Sequence, residues 1–237
     1  MNKMHLLRLT TGFVMVLMAS MANANLLRNA SFEDVPSGST GQNRMPSEWV
    51  ASNVSPDTYS NDGSYGLSPS GFGNFNGVTA YDGIRWVAGW SSAGQERFGQ
   101  TLTDNLISGT EYNFSGYLHQ AFRSDLNNPG GYELFLTGTS TSTPLSGEYL
   151  GYLGATTSFS DGWQQYSFSF TATDAMASLD FLMFAPTKAG TGESYPGLDL
   201  VSLDAVAPPP NHSVPESTSI YLLAFGLLGL LGARRKV

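Results

Sequence analysis

The 237-residue chain contains no cysteine, so disulfides are excluded, and its 27 glycines, 11 tyrosines and 14 phenylalanines favour strands and turns over helices. Between Asn25 and Ala207 stand 18 acidic residues against six basic ones, Arg28, Arg44, Arg85, Arg97, Arg123 and Lys188, a net charge of −12. That imbalance argues against nucleic acid or an anionic membrane as the partner of this region.

Residues 1–24 read as a secretory signal peptide. Lys3 and Arg8 supply the positive start, Leu9 to Met18 is apolar apart from Thr10, Thr11 and Gly12, and Ala22-Asn23-Ala24 is a small-x-small cleavage pattern. Cleavage after Ala24 makes Asn25 the first mature residue. The apolar run is too short for a permanent span, and strand-like sequence follows at once.

From Asn25 to Ala207, short alternating runs are separated by Gly, Asn, Asp and Ser clusters. Predicted strands in chain order are Leu26–Phe32, Gly83–Trp90, Phe98–Thr103, Glu111–His119, Tyr132–Leu136, Gln165–Thr171, Ser178–Ala185 and Gly197–Val206. In Glu111–His119, Tyr112, Phe114, Gly116 and Leu118 share one face, and Asn113, Ser115, Tyr117 and His119 the other. Tyr166, Phe168 and Phe170 alternate in the same way with Ser167, Ser169 and Thr171. No stretch carries a helical stripe. The pattern predicts an all-β fold, an antiparallel β-sandwich of about nine or ten strands, most simply a jelly roll.

The C-terminus has three parts. A proline-rich linker, 208–213, precedes Val214-Pro215-Glu216-Ser217; an apolar segment follows from Thr218 to Ala233; and Arg234, Arg235 and Lys236 end it. Sixteen helical residues reach about 24 Å, short of a hydrocarbon core of about 30 Å. Such a transmembrane helix is a marginal anchor, with its basic cluster on the cytoplasmic side. Val-Pro-Glu, a Leu/Gly-rich helix and a basic end, in this order, resemble the PEP-CTERM sorting signal, although Ser217 stands where a second proline is usual. The resemblance implies processing by an exosortase-type enzyme. It also implies a Gram-negative host that makes exopolysaccharide, with the chain passing through the inner membrane to the cell surface or extracellular matrix.

The middle domain carries its own resemblance. Asn25-Leu26-Leu27-Arg28-Asn29-Ala30-Ser31-Phe32-Glu33-Asp34 opens it, Gly162-Trp163 leads into Phe168-Ser169-Phe170, and Gly197-Leu198-Asp199-Leu200-Val201-Ser202-Leu203 closes it. This order resembles the galactose-binding-like jelly rolls, which include many carbohydrate-binding modules. The resemblance implies a structural calcium ion between first and last strands, with Glu33 and Asp199 as ligands and backbone carbonyls, Asp34 or Asn29 completing the shell. The plainer alternative is that Glu33 and Asp199 bond backbone amides at the sheet edge.

Sugar binding uses aromatic rings against sugar C–H faces, with amides and carboxylates on the hydroxyls. Trp86 and Trp90, four apart on one predicted strand, and Tyr117 and His119 on the polar face of another, are the candidate ligand-binding residues. Trp86 and Trp163 also read as core, and Tyr59, Tyr65, Phe72 and Phe75 fall in a predicted long loop. Catalytic residues are not evident. His119 is the domain's single histidine, there is no nucleophile elbow, and no carboxylate pair stands out. The expectation is a non-enzymatic surface protein that binds exopolysaccharide; the alternatives are an adhesive protein recognising protein partners and a glycan hydrolase.

Overall fold

The computed structural model describes residues 25–207 apart from 39, 71–74, 76, 93–94, 121–127, 142–145, 158–161 and 190–191. The cleavage residues Ala22 and Ala24, the sorting residues Val214, Pro215, Glu216, Arg234, Arg235 and Lys236, and the apolar segment 218–233 lie outside the described residues. Among the described residues no helix is long and apolar enough to cross a membrane.

Among the described residues ten strands form two antiparallel five-stranded sheets. They are β1 (Val50–Asn53), β2 (Asp57–Ser60), β3 (Arg85–Ala88), β4 (Arg97–Thr101), β5 (Glu111–Gln120), β6 (Gly130–Thr137), β7 (Glu148–Gly154), β8 (Gln164–Thr171), β9 (Phe181–Lys188) and β10 (Pro196–Ala205). One sheet runs β1-β4-β9-β6-β7 and the other β2-β3-β10-β5-β8. The alternation seen in the sequence is the alternation of the sandwich. Tyr112, Phe114 and Leu118 of β5 face inward against Leu134, Phe184 and Leu203, while β8 buries Tyr166, Phe168 and Phe170 partly on the same core. Phe98 and Phe184, from neighbouring strands, stack with centroids 5.2 Å apart, and Trp49 packs edge-on to Phe184 at 5.6 Å. Each such ring contributes about 1.5–3 kcal/mol through burial alone, which is how a domain without disulfides holds its two sheets together.

Three predicted boundaries shift. Leu26–Phe32 lies along β10 without forming a ladder: Leu26 N–H donates to Leu203 O at 2.9 Å and Ala30 O accepts from Val201 N–H at 2.9 Å. Asn29 (φ 44°) and Phe32 (φ 62°) are left-handed, and this breaks the extended backbone. Ser178 caps a single helical turn, α1 (Asp174–Ala177), which opens with Thr173 accepting from Met176 N–H; its strand therefore begins at Phe181. Tyr59, expected in a loop, is a fully buried residue of β2.

Candidate functional site

The outer face of the β2-β3-β10-β5-β8 sheet is divided in two. Over β2, β3 and the start of β10, Leu67, Phe75, Val78 and Ala80 pack as a covering layer. Phe75 plugs it, 5.0 Å from Tyr59 and 6.0 Å from Trp86 by ring centroids. Trp86 in turn stacks on Tyr59 at 5.4 Å and 14°. Together with Ala88 and Tyr195 they make a second apolar cluster outside the sandwich core.

This layer corrects two of the sequence-derived ligand residues. Trp86 is fully enclosed, so both ring faces belong to protein neighbours and neither is open to a sugar. His119 is 4 % exposed rather than on a solvated polar face. Phase alone put it there; Phe75 at 6.1 Å and Trp163 at 5.3 Å then cover it. Its Nδ1 lies 2.7 Å from Gln120 O, and burial lowers its pKa, so the ring stays neutral near pH 7. Trp163 belongs to the same outer layer, its Nε1–H donating to Thr79 O at 2.8 Å.

Among the described residues no such cover lies over the other half of the face, formed by β8, β5 and the end of β10. Register sets its rows: Gln165, Tyr117 and Asp199; Ser167, Ser115 and Ser202; Ser169, Asn113 and Asp204; then Thr171 beside Glu111. The seven-residue run from Gln165 to Thr171 spans about 20 Å between its end Cα atoms at the rise of a strand. Ser115 and Ser202 hydroxyls sit 3.0 Å apart, and Ser169 Oγ donates to Asn113 Oδ1 at 3.4 Å. At the loop end of this strip Tyr81 stacks on Tyr117, with centroids 3.6 Å apart and planes at 15°. Tyr81 keeps 45 % of its surface exposed. A hydrogen bond with Tyr117 raises the Tyr81 pKa above its ordinary value, and the charges of Asp82 and Asp199 add to this.

Trp90 stands apart from that strip. It lies just beyond β3, half-buried against the Trp86 cluster, with Nε1–H donating to Glu193 Oε2 at 3.0 Å. Its loop closes through Trp90 N–H to Glu96 Oε2 at 2.8 Å and Glu96 N–H to Trp90 O at 3.0 Å. Glu96 feels the charge of Asp57, and the two are 4 % and 1 % exposed. Ser55 donates to Glu96 Oε1 at 3.3 Å, while Tyr195 donates to Asp57 Oδ2 at 3.1 Å. Burial pushes Glu96 up to about 7 and raises Asp57 as well. This pair has the environment of a general acid, but no substrate reaches two carboxylates so enclosed, and hydrolysis gains no support from them.

Glu33 and Asp199 both bind the turn 81–85. Asp199 Oδ2 accepts from Tyr81 N–H at 2.8 Å and Asp82 N–H at 3.0 Å, and its Oδ1 accepts from Leu200 N–H at 2.7 Å. Glu33 Oε1 accepts from Ile84 N–H at 2.9 Å and Arg85 N–H at 2.8 Å, with the Arg85 guanidinium 3.4 Å from Oε2. Burial pushes Asp199 up to about 7 against the pull of its amides. Calcium needs six to eight oxygen ligands, whereas here five amide N–H groups and a cation point at the carboxylates. Asn29 is turned to the N-terminal turn itself, bonding Asp34 O and Ser47 O at 2.8 Å each. Among the described residues no three His, Cys, Asp or Glu side chains converge. Among the described residues the donors present at Glu33 and Asp199 fit a hydrogen-bonded clasp and do not fit calcium.

The chain matches no protein-family model and no curated protein sequence. Similar solved structures exist. A CBM22-1 xylan-binding domain of Paenibacillus barcinonensis Xyn10C shares 15 % identity over 81 % of this chain and 100 % of its own, with a TM-score of 0.47. A cyclase of Fischerella sp. TAU shares 15 % over 79 % of this chain and 100 % of its own, with a TM-score of 0.49. A family 16 carbohydrate-binding module shares 17 % over 53 % of this chain and 79 % of its own, with a TM-score of 0.35. A binding module and a cyclase score alike, so the likeness sets neither ligand nor reaction.

Of the four ligand-binding candidates, Tyr117 alone is half-exposed on the uncovered strip, while Trp86 and His119 lie beneath the loop and Trp90 flanks it. The residue missed was Tyr81. It belongs to a turn, where no periodicity points a side chain, and its neighbours Asp82-Gly83 announce only the turn.

Proposed function

We propose that this chain is an exported, non-enzymatic surface or matrix protein that binds polysaccharide, the host's own exopolysaccharide above all, through the uncovered β8-β5-β10 strip. The Tyr81–Tyr117 stack carries this reading: a flat phenol plate with Tyr81 45 % exposed, at the head of rows of Ser, Asn, Gln and Thr. The plate offers a surface for the apolar face of a pyranose ring, and the rows offer hydroxyls and amides for its hydroxyl groups. The export half of the proposal rests on sequence. Residues 1–24 direct secretion, the 218–233 helix holds the chain briefly in the inner membrane, and an exosortase-type enzyme acting on the Val214-Pro215-Glu216 signal passes it to the surface or matrix.

Affinity electrophoresis tests the binding half. The full-length chain, purified in mild detergent, is run through native gels containing a panel of polysaccharides. Retention by at least one polymer is expected, and Tyr81→Ala and Tyr117→Ala are expected to abolish it. Free migration in every gel, or retention untouched by both substitutions, defeats the reading.

A further inference from the structure

We infer that the uncovered strip selects uncharged, hydroxyl-rich polysaccharide chains and turns away polyanionic ones; this rests on the polysaccharide reading above. The three strands that build it contain no lysine or arginine. Among the described residues its charged side chains are Glu111 and Asp204, with Asp82 beside the tyrosine plate and Asp199 beneath it. The cation nearest the plate on the same turn is Arg85, and Glu33 engages it through both its backbone carbonyl at 3.0 Å and its carboxylate at 3.4 Å. Arg28 is likewise paired, with Glu48 at 3.3 Å.

The rest of the strip below the plate is Ser115, Ser167, Ser202, Ser169, Asn113, Gln165 and Thr171. Hydroxyls and amides both donate and accept, as sugar hydroxyls do, and so match an uncharged chain bond for bond. They bring no full positive charge to a uronate or sulfate group, which would lie beside carboxylates of its own sign. At 0.15 M salt the screening length is about 8 Å, so distant charges of the domain drop out and those on the strip remain. Selection by the strip therefore persists at moderate salt, unlike repulsion by the net charge of the whole domain.

The test keeps the backbone constant and changes only its charge. Hydroxyethyl cellulose against carboxymethyl cellulose, and dextran against dextran sulfate, are compared in affinity gels at 0.15 M salt with the full-length chain, and glycol chitosan serves as the cationic arm. The expected result is retention by a neutral polymer with affinity at least about tenfold weaker for its anionic counterpart, and little change of the neutral retention with added salt. The double variant Asp82→Asn, Asp204→Asn is expected to narrow that gap, since both side chains are at the surface and an amide keeps their shape. Equal or stronger retention by the anionic polymer, retention by chitosan alone, or an unchanged gap in the double variant overturns the charge selection while leaving polysaccharide binding standing. Retention by no polymer overturns both.

Discussion

Glu33 and Asp199 grip opposite ends of one turn: Asp199 takes the amides of Tyr81 and Asp82, and Glu33 those of Ile84 and Arg85. One carboxylate comes from the first ten residues of the domain and the other from its last strand, so the turn that carries Tyr81 is fastened to both chain ends. Asn25 completes the closure, its side chain bonding Val201 O at 3.1 Å and Leu203 N–H at 3.0 Å. The clasp thereby does two jobs, closing the domain and setting the tyrosine plate.

At the centre of that turn Gly83 has φ +64°, and a Cβ there would sit 2.4 Å from the Glu33 carboxyl carbon. Gly83→Ala forces a left-handed alanine into an occupied space. The expected cost is about 2–4 kcal/mol, a fall in melting temperature of roughly 5–15 °C for a domain of this size. An unchanged melting curve refutes the geometry of the clasp.

Removing the acceptor on the other side tests the link to the plate. Asp199→Ala leaves the Tyr81, Asp82 and Leu200 amides without their partner, at a cost on the order of 3 kcal/mol. Hydrogen exchange at those three amides is expected to accelerate more than in the β6–β9 ladder across the sandwich. Uniform acceleration throughout the domain would mean that Asp199 acts on global stability and not on the turn.

Because amides and a guanidinium already occupy the Glu33 and Asp199 oxygens, calcium has to displace them to bind. Thermal unfolding in excess calcium and in excess EDTA is expected to give the same midpoint. A rise with calcium that Asp199→Ala removes would restore the ion to this site.

The domain is expected to be more stable at pH 5 than at pH 8. A buried carboxylate with a raised pKa holds its proton more tightly when folded, so its penalty is absent below the ordinary carboxylate range. For Glu96 that penalty grows as pH climbs from 4.5 toward 7 and is then complete, at a size on the order of 3 kcal/mol. Asp57 and Asp199 shift in the same direction and steepen the loss. Glu96→Gln keeps an acceptor for Trp90 N–H and offers its amide to Ser55. Its melting temperature is therefore expected to exceed that of the unaltered chain at pH 8 and to match it at pH 5. Equal slopes of melting temperature against pH in the two proteins would contradict the assignment.

The long strands were legible in the sequence because a strand with one face in the core has to alternate. Glu111 to Leu118 and Gln164–Thr171 do so residue by residue. Three short or irregular strands, Val50–Asn53, Asp57–Ser60 and Glu148–Gly154, were not. Asp57–Ser60 is four residues, all buried by the covering loop as well as the core, so it shows no alternation at all. Glu148–Gly154 is broken by Gly151 and by a register shift opposite Leu134 and Phe135.

The amino-acid sequence by itself determined the all-β sandwich, the acidic surface and the apolar segments at both ends, because each follows from local composition or a period of two. Only the tertiary structure decided which aromatic rings are free. His119 has the phase of a surface residue and Trp86 read both as core and as ligand-binding, yet Phe75 packs against both, while Tyr81 has no phase and stays 45 % exposed. The physical reason is that exposure belongs to the whole set of contacts a loop makes on return, and nothing along the chain encodes where it returns.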